Sequence, residues 1–289
     1  MENTIISNLL EQYGCTSIQE HRNALKEIVQ SLVLIGLTRS NFFNKAAFYG
    51  GTALRKFYEL QRFSEDLDFS LMNPDKGFSL NPYIDSVKKI LRSYGFEMNV
   101  ETRNKVNDSP IKSAFVKGDT LTQLISFTAM QPPISGVPRN EKIKVKFEVD
   151  ANPPLGASYE VKTQLQPELY QVRLYDLPSQ AAGKISAVLT RSWGNRVKGR
   201  DYYDYIWFLQ KNITVNFYHL QQRLLQYDPL GTFTERSIIE MLCRRFASID
   251  FKKVRDDILP FIKKEDVRKL DYWNDTTFID STKQYLRFI

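Results

Sequence analysis

The sequence predicts an α+β fold: a mixed sheet with flanking helices, followed by a C-terminal helical bundle. The stretches "SEDLDFSLMN" and "KIKVKFEVDANPP" support the sheet, because both alternate polar and apolar residues, as half-buried strands do. The bundle is supported by apolar residues that recur at a spacing of about 3.6 from about Gln166 onward. The Pro-rich stretch 152–166 marks the join. We therefore expect an α/β domain at residues 1–165 and a helical domain at residues 166–289.

The first elements surround a glycine turn. Residues 1 to about 45 are expected to be helical, because "IQEHRNALKEIVQSLVLIGLTRS" has apolar residues at helical spacing. "KAAFYGG" predicts a short strand that ends at a Gly-Gly turn, and "TALRKFYEL" predicts a helix that begins just after the glycines. "SEDLDFSLMN" then predicts a strand with Asp66, Asp68 and Ser70 on one face.

The next elements are a helix and further strands. "NPYIDSVKKILRSYGF" predicts a helix closed by Gly95. Strands are expected in "FEMNVETR", on both sides of Gly118 and Asp119 in "KSAFVKGDTLTQLISFTAM", and in "KIKVKFEVDANPP". Helices are expected in the back half, in "DLPSQAAGKISAVLTR", "RDYYDYIWFLQK", "FYHLQQRLLQY", "TERSIIEMLCRRFASI" and "VRDDILPFI".

Composition excludes several classes of protein. The 289 residues are 42% hydrophobic, enough for a sizeable core, but no apolar run is long enough to cross a membrane. Cys15 and Cys243 are the only cysteines, so no disulfide framework is expected, and the start of the chain lacks the pattern of a secretory signal. With only His21 and His219, neither a zinc site nor a hydrolase triad is favoured. We expect a cytoplasmic protein.

The charge of the chain favours a polyanionic partner. The formal net charge is +7 and the isoelectric point is about 9.2. Such a balance is typical of proteins that bind nucleic acid or nucleotide phosphates, although many basic proteins bind neither.

Asp66 and Asp68 are candidate metal ligands. Two carboxylates two residues apart on a strand point the same way, and their repulsion becomes an attraction when a divalent cation such as Mg²⁺ or Mn²⁺ binds between them. Glu148 on a second alternating strand completes a set of three if the strands are neighbours, with Asp150 as the alternative. Such a set suits two-metal nucleotidyl transfer. A solvated polar strand face, or salt bridges to nearby basic residues, would also explain the pattern.

Gly50, Gly51 and Thr52 are candidate nucleotide-binding residues. Glycines let the backbone approach phosphates, and the N-terminus of the following helix offers free N–H groups and the positive end of its dipole. Thr52 can cap this helix or bind a phosphate oxygen. A Gly-Gly turn followed by an acidic strand is more specific than either feature alone.

"GGTALR" followed by "RFSEDLDFS" resembles the first motif of the nucleotidyltransferase superfamily, and in particular of the AbiEii-type toxins, a family that includes the MenT toxins. "KVKFEVDANP" resembles the strand that carries the third acid of the family, which is Glu148 here. The stretch "AAGKISAVLTRSWGNRVKGRDYYDYIWFL" resembles the family's helix lysine, basic loop and Arg-Asp-x-x-Asp helix. On this resemblance they are Lys184, then Arg196, Lys198 and Arg200, then Asp201 and Asp204.

The resemblance implies roles for these residues. Lys184 would neutralise charge on a triphosphate, and Asp201 would assist catalysis by orienting Lys184 or the nucleotide. A surface lysine and a helix-capping aspartate are the alternatives. For Asp204, a merely structural tether to Arg200 or Arg196 is the expected role.

The segment "RSWGNRVKGRDYYDY" mixes basic and aromatic residues. We expect Arg196, Lys198 and Arg200 to contact RNA phosphates. Tyr202 and Tyr205 are expected in the core, since they share an apolar stripe with Phe208. Ser64 precedes Asp66 by two residues and could bind a phosphate, be modified, or simply begin the strand.

The resemblance further implies a nucleotidyltransferase-like fold and an enzyme that moves a nucleoside monophosphate from an NTP onto a hydroxyl, with Mg²⁺ or Mn²⁺ as cofactor. The implied acceptor is a tRNA 3′ end. The implied setting is the toxin of a bacterial toxin–antitoxin or phage-defence system, with a cognate antitoxin protein as possible partner. Two alternatives stay open: a non-catalytic RNA- or partner-binding protein with a decayed site, and a nucleotidyltransferase that acts on a protein or a small molecule.

Overall fold

A computed structural model of the chain describes residues 4–103, 110–128, 134–191 and 197–289. Its α-helices are α1 Thr4–Gln12, α2 Ile18–Arg39, α3 Gly50–Tyr58, α4 Asn81–Ser93, α5 Thr120–Phe127, α6 Leu177–Thr190, α7 Gly199–Gln210, α8 Phe217–Tyr227, α9 Glu235–Ser248, α10 Phe251–Ile258 and α11 Asp275–Tyr285. Its strands are β1 Ala46–Tyr49, β2 Leu67–Leu71, β3 Asn99–Arg103, β4 Ile111–Asp119, β5 Lys142–Asp150, β6 Tyr159–Gln164 and β7 Tyr170–Tyr175. Short 3₁₀ segments lie at Phe42–Asn44, Leu259–Phe261 and Lys264–Tyr272.

The strands form one mixed sheet in the order β3-β4-β5-β2-β1-β7-β6. Strand β2 lies between β1, to which it is antiparallel, and β5, to which it is parallel. The two strands that carry the candidate carboxylates are therefore direct neighbours in the sheet. This mixed sheet with flanking and C-terminal helices confirms the expected fold class.

The described residues group into two compact units that interleave along the chain. The first is drawn from Met1–Thr52, Glu65–Pro153 and Val161–Leu174, and the second from Ala53–Ser64, Pro154–Glu160 and Tyr175–Ile289. The first unit extends past residue 165 because β7 pairs with β1 in parallel. The expected division at residues 165 and 166 stays a prediction.

The first unit buries one face of the sheet beneath helices. Phe48, Phe69 and Phe147 are fully buried on that face, and α2 packs on β5 and on α4. A Cβ at Gly36 would lie 2.7 Å from Val87 Cα, so this glycine permits the close approach of α2 and α4. Because these buried residues of β1, β2 and β5 share one face, the alternation of β2 and β5 directs Asp68 and Glu148 to the opposite face.

The second unit has its own core among α6–α11. Phe246 and Phe278 are fully buried there, and the hydroxyls of Tyr205 and Thr282 lie 2.7 Å apart. Tyr202, Tyr205 and Phe208 are buried, which confirms their expected place in the core.

After residue 118, the expected secondary structure was wrong in two segments. The segment after Gly118 and Asp119 is helix α5, not a strand, because the Asp119 side chain accepts a hydrogen bond from Thr122 N and caps the helix. The chain is also not helical directly after Gln166, since β7 follows, and β6 precedes it. Both strands are six residues long, with the sequences "YEVKTQ" and "YQVRLY". Their Tyr and Val residues, which are common in strands, were the signal that could have predicted them.

No helix in the described ranges is long and apolar enough to cross a membrane.

Candidate active site

Gly50 occupies the turn between β1 and α3. Its φ is +84°, and a Cβ at this position would lie 2.8 Å from Oδ2 of Asp68. An L-residue would therefore be strained and would also press on the carboxylate. The helix begins at Gly50 itself rather than after the two glycines, so Gly50, Gly51 and Thr52 form its first turn.

The strand register sets Asp68 opposite Glu148. In the parallel pair of β2 and β5, the paired residues include Asp68 with Glu148 and Ser70 with Asp150. Neighbouring strands are about 4.8 Å apart, and paired side chains share a face. Glu148 is thus one strand away from Asp68, whereas Asp150 lies two residues further along and accepts a hydrogen bond from Asn152 N at 2.9 Å. The register favours Glu148 over Asp150 as the third acid.

Glu148 is half-buried and held by the protein at both oxygens. Its Oε1 accepts a hydrogen bond from Ser113 Oγ at 2.9 Å, and its Oε2 lies 2.6 Å from Lys146 Nζ. Ser113 pairs with Glu148 across β4 and β5, so the contact follows from the register. Neither Ser113 nor Lys146 was identified from the sequence.

Asp66 lies just before β2, two residues from Asp68. Desolvation raises the pKa of Asp66, and the negative charges of Asp68, Glu65 and Glu148 raise it further, while Lys146 lowers it. Its backbone carbonyl accepts a hydrogen bond from the hydroxyl of buried Thr52. Thr52 therefore anchors the backbone at Asp66, a contact that the sequence did not suggest.

Asp66, Asp68 and Glu148 form an acidic row, and the donor chemistry of this acidic row fits a hard divalent cation. Asp66, Asp68 and Glu148 offer carboxylate oxygens, which Mg²⁺ and Mn²⁺ prefer, and a cation would offset both the desolvation and the mutual repulsion that raise the pKa of Asp66. Within the described residues, no three His, Cys, Asp or Glu side chains are grouped closely enough to form a ready-made metal site. The fit therefore rests on donor type and strand register.

In the second unit, Lys184 on α6 contacts two carboxylates of α7. Its Nζ lies 2.7 Å from Oδ2 of Asp204 and 3.4 Å from Oδ1 of Asp201. Arg191 NH1 lies 2.8 Å from Oδ2 of Asp201. Because Asp201 and Asp204 are one helical turn apart, both face α6 and fix the position of the lysine. The contact between Asp201 and Lys184 is thus present, and its part in catalysis stays a prediction.

Arg62 was not identified from the sequence, yet it is the principal partner of Asp204. Its Nε and NH2 lie 2.6 Å and 2.7 Å from the two oxygens of Asp204, and both side chains are almost completely buried. Asp204 thus contacts Arg62 and Lys184, and the tether expected from Arg200 or Arg196 stays a prediction, since Arg196 lies outside the described residues. Nothing in "RFSEDLDFS" distinguishes a buried arginine from an exposed one, since burial of its partner on α7 depends on the tertiary fold.

The cluster around Asp201 carries more positive than negative charge. Burial alone would raise the pKa of Asp201, but the charges of Lys184, Arg191, Lys198 and Arg62 lower it to about 2. Burial lowers the pKa of Lys198 to about 8, with repulsion from Arg191 and Lys184 adding to the effect and Asp201 opposing it. An excess of partly buried positive charge favours binding of an anion.

A half-open recess adjoins this cluster. Its free space is about 240 Å³, part of it open to solvent, and Arg191, Lys198, Asp201, Tyr202 and Arg245 contribute to its lining. Three of these side chains are cationic. The recess therefore presents cationic side chains beside Asp201.

The remaining expected contacts, from Arg196 and Arg200 to RNA and from Ser64 to a phosphate, have mixed outcomes. Arg196 lies outside the described residues. Arg200 places its guanidinium 4.2 Å from the centre of the Phe261 ring, a cation–π contact within the second unit. Ser64 is buried and precedes β2 rather than lying in it.

These features define a class of site. A glycine turn beside a row of acids suits a triphosphate with its cation, and a separate excess of positive charge suits polyphosphate or RNA. Enzymes that transfer nucleotidyl groups use parts of this kind.

The model of the nucleotidyl transferase AbiEii toxin family of type IV toxin–antitoxin systems matches residues 32–273. Since this match spans most of the chain, the chain belongs to that family and is a nucleotidyltransferase of the toxin class. A search of curated protein sequences gave no match.

A comparison with solved structures gave matches at low sequence identity, three of which follow. MenT4, a nucleotidyltransferase toxin from Mycobacterium tuberculosis, is 15% identical, with 99% of each chain covered and a TM-score of 0.48. A putative nucleotidyltransferase from H. pylori is 15% identical, with 89% of each chain covered and a TM-score of 0.45. JHP933 from Helicobacter pylori is 16% identical over 94% of this chain and 90% of that one, with a TM-score of 0.44.

Proposed function

We propose that this protein transfers a nucleoside monophosphate from an NTP to the 3′ hydroxyl of a tRNA in the bacterial cytoplasm, with Mg²⁺ or Mn²⁺, and that a cognate antitoxin opposes it. The acceptor oxygen attacks the α-phosphorus, and the bond to the bridging oxygen of pyrophosphate breaks. The observation that carries the proposal is the register of Asp68 with Glu148 beside the Gly50 turn.

Asp66, Asp68 and Glu148 hold the cation in this account. When bound, the cation supplies positive charge that stabilises the attacking and leaving oxygens. Gly50 keeps the space next to Asp68 clear, because a side chain there would meet Oδ2. Thr52 holds the backbone of Asp66, so the row keeps its place on the strand.

The first turn of α3, at Gly50, Gly51 and Thr52, binds phosphate oxygens of the nucleotide. The backbone N–H groups in the first turn of a helix have no hydrogen-bond acceptor within that helix, and the positive end of the helix dipole lies there. Ser64 is a further candidate for a phosphate contact, but its burial favours a structural part.

Lys184 neutralises triphosphate charge, and Asp201 orients it. The lysine is mostly buried, with its side chain 15% exposed, and two carboxylates fix its ammonium in place. A positioned cation gains more from binding phosphate than a flexible surface lysine does, since less side-chain entropy is lost.

The acceptor RNA binds through Arg196, Lys198 and Arg200 in this proposal. The net charge of +7 and the cationic recess beside Asp201 support an RNA acceptor. Because Arg200 already stacks on Phe261, Lys198 and the recess residues Arg191 and Arg245 are the stronger candidates for phosphate contacts.

The test is transfer of label from each of the four NTPs, labelled at the α-phosphate, to total bacterial RNA in the presence of Mg²⁺. We expect label on a tRNA-sized band with the wild type, and a loss of at least about a hundredfold in Asp66→Asn. Asp85→Asn, an exposed change on α4, is the matched control and should transfer normally.

The chemistry of the acceptor decides between the alternatives. Periodate oxidation of the RNA destroys the 3′ diol and should abolish labelling if the 3′ end is the acceptor. Label on a protein or a small molecule, and never on RNA, would contradict the tRNA assignment but keep the transferase. Absence of NTP turnover on any acceptor would favour a non-catalytic binding protein.

A further inference from the structure

Lys146 places a positive charge inside the acidic row of β2 and β5. Its Nζ lies 2.6 Å from Oε2 of Glu148, and the two side chains are 31% and 24% exposed. The other oxygen of Glu148 accepts a hydrogen bond from Ser113 Oγ. The protein itself therefore engages both oxygens of the third proposed metal ligand.

The strand register accounts for this position. Lys146 and Glu148 are two residues apart on β5 and share a face. Leu67 pairs with Phe147 in the parallel ladder, so the register continued by one residue sets Lys146 beside Asp66. The lysine thus lies next to two of the three carboxylates.

Neighbouring charges on this face have other contacts. Lys144 Nζ lies 4.4 Å from the centre of the Phe115 ring, and Asp150 accepts a hydrogen bond from Asn152 N. Glu65, next to Asp66, pairs with Lys26 at 3.0 Å. Lys146 therefore contacts the acidic row, whereas Lys144, on the same strand and face, lies against Phe115 and provides a matched comparison.

We infer that Lys146 is a positioning residue that competes with bare divalent cations for Glu148 and so favours the cation that arrives bound to an NTP. The inference rests on the proposed function. A metal that takes Oε2 as a ligand must displace the ammonium, and the two positive charges repel each other at this distance. A triphosphate changes the balance, because its negative charge stabilises the displaced ammonium.

The test measures Mn²⁺ binding by electron paramagnetic resonance, with and without a non-hydrolysable NTP analogue. Without nucleotide, Lys146→Met should bind Mn²⁺ about tenfold more tightly than the wild type, because one nearby positive charge is removed. Lys144→Met and Lys146→Arg should stay within about twofold of the wild type. With the analogue, the gain in Lys146→Met should disappear.

Unchanged or weaker Mn²⁺ binding by Lys146→Met would overturn the inference and leave Lys146 as a clamp on Glu148. A comparable gain in Lys144→Met would also overturn it, since general surface charge would then be the cause. Nucleotide transfer measured on the same preparations reports on the proposed function separately. If the wild type transfers nucleotide but Lys146→Met binds Mn²⁺ no more tightly, only the inference is refuted. If Lys146→Met binds Mn²⁺ more tightly but the wild type transfers no nucleotide, only the proposed function is refuted.

Discussion

At the scale of single residues, Gly50 lies so close to the Asp68 carboxylate that the two positions depend on each other. Gly50 has a positive φ, and a Cβ at this residue would lie 2.8 Å from Asp68 Oδ2, which leaves no room for a side chain. A single methyl group would displace the carboxylate, which is one of the three proposed to hold the cation. This makes Gly50 a sensitive test of the geometry.

We predict that Gly50→Ala lowers nucleotide transfer by at least about a hundredfold, since misplaced catalytic groups lose much of their effect even over short distances. The backbone strain should also cost about 1–3 kcal/mol of stability. Gly136→Ala is the matched control, because Gly136 has a φ of +79° with nothing within 4 Å of its Cβ position. It should share the strain but keep full transfer, as measured by label on RNA and by urea unfolding.

Lys198 provides a prediction on pH. Its pKa is lowered to about 8, so the ammonium is charged below that pH and neutral above it. RNA affinity should therefore fall as pH rises through about 8, with the salt slope of log Kd reduced by about one. Fluorescence anisotropy with tRNA measures both quantities. In Lys198→Arg this step should vanish, because arginine stays charged; an unchanged step in that variant would assign it to another group.

At the scale of elements, ion pairs join α7 to α6 and to the segment before β2 within the second unit. Arg62 and Lys184 both contact Asp204, and Arg62 and Asp204 are 2% and 0% exposed. A buried pair of this kind contributes little relative to apolar residues of the same shape, but the removal of one partner leaves an uncompensated charge. The pair therefore fixes α7 in position more than it adds net stability.

We predict that Arg62→Met destabilises the protein by about 3–5 kcal/mol, measured by urea unfolding. The double variant Arg62→Met with Asp204→Leu should recover most of this loss, because it removes both members of the buried pair and Lys184 keeps its contact with Asp201. Arg236→Met removes a pair with Glu240 in which Arg236 is 90% exposed, and should change stability by less than about 0.5 kcal/mol. Equal effects of Arg62→Met and Arg236→Met would contradict the structural account.

The elements also differ in how well the sequence predicts them. Strands β2 and β5 were predictable because their alternation is strict, and α6 and α7 because their apolar spacing is helical. Helix α5 was mistaken for a strand since its apolar run is short, and only the cap at Asp119 distinguishes it. Strand β6 was missed because it lies within the Pro-rich stretch 152–166, and β7 because it follows that stretch; each has only six residues.

At the scale of the whole molecule, the family and the acidic row could be predicted from sequence, but the contacts of Arg62, Ser113 and Lys146 could not. Asp66, Asp68 and Glu148 were identifiable because charges in an alternating strand are costly without a partner. The register that separates Glu148 from Asp150 comes from the pairing of β2 with β5, which the sequence does not reveal. Lys146 lies far from β2 in sequence, and its place beside Asp66 was not identifiable for the same reason.

The measurement that tests the account most directly compares nucleotide transfer by Glu148→Gln and Asp150→Asn with that of the wild type. Both changes remove one negative charge from the same face of β5, two residues apart. The register predicts that Glu148→Gln loses at least about a thousandfold in rate, whereas Asp150→Asn stays within about tenfold. The reverse order, or full transfer by Glu148→Gln, would contradict the proposed site.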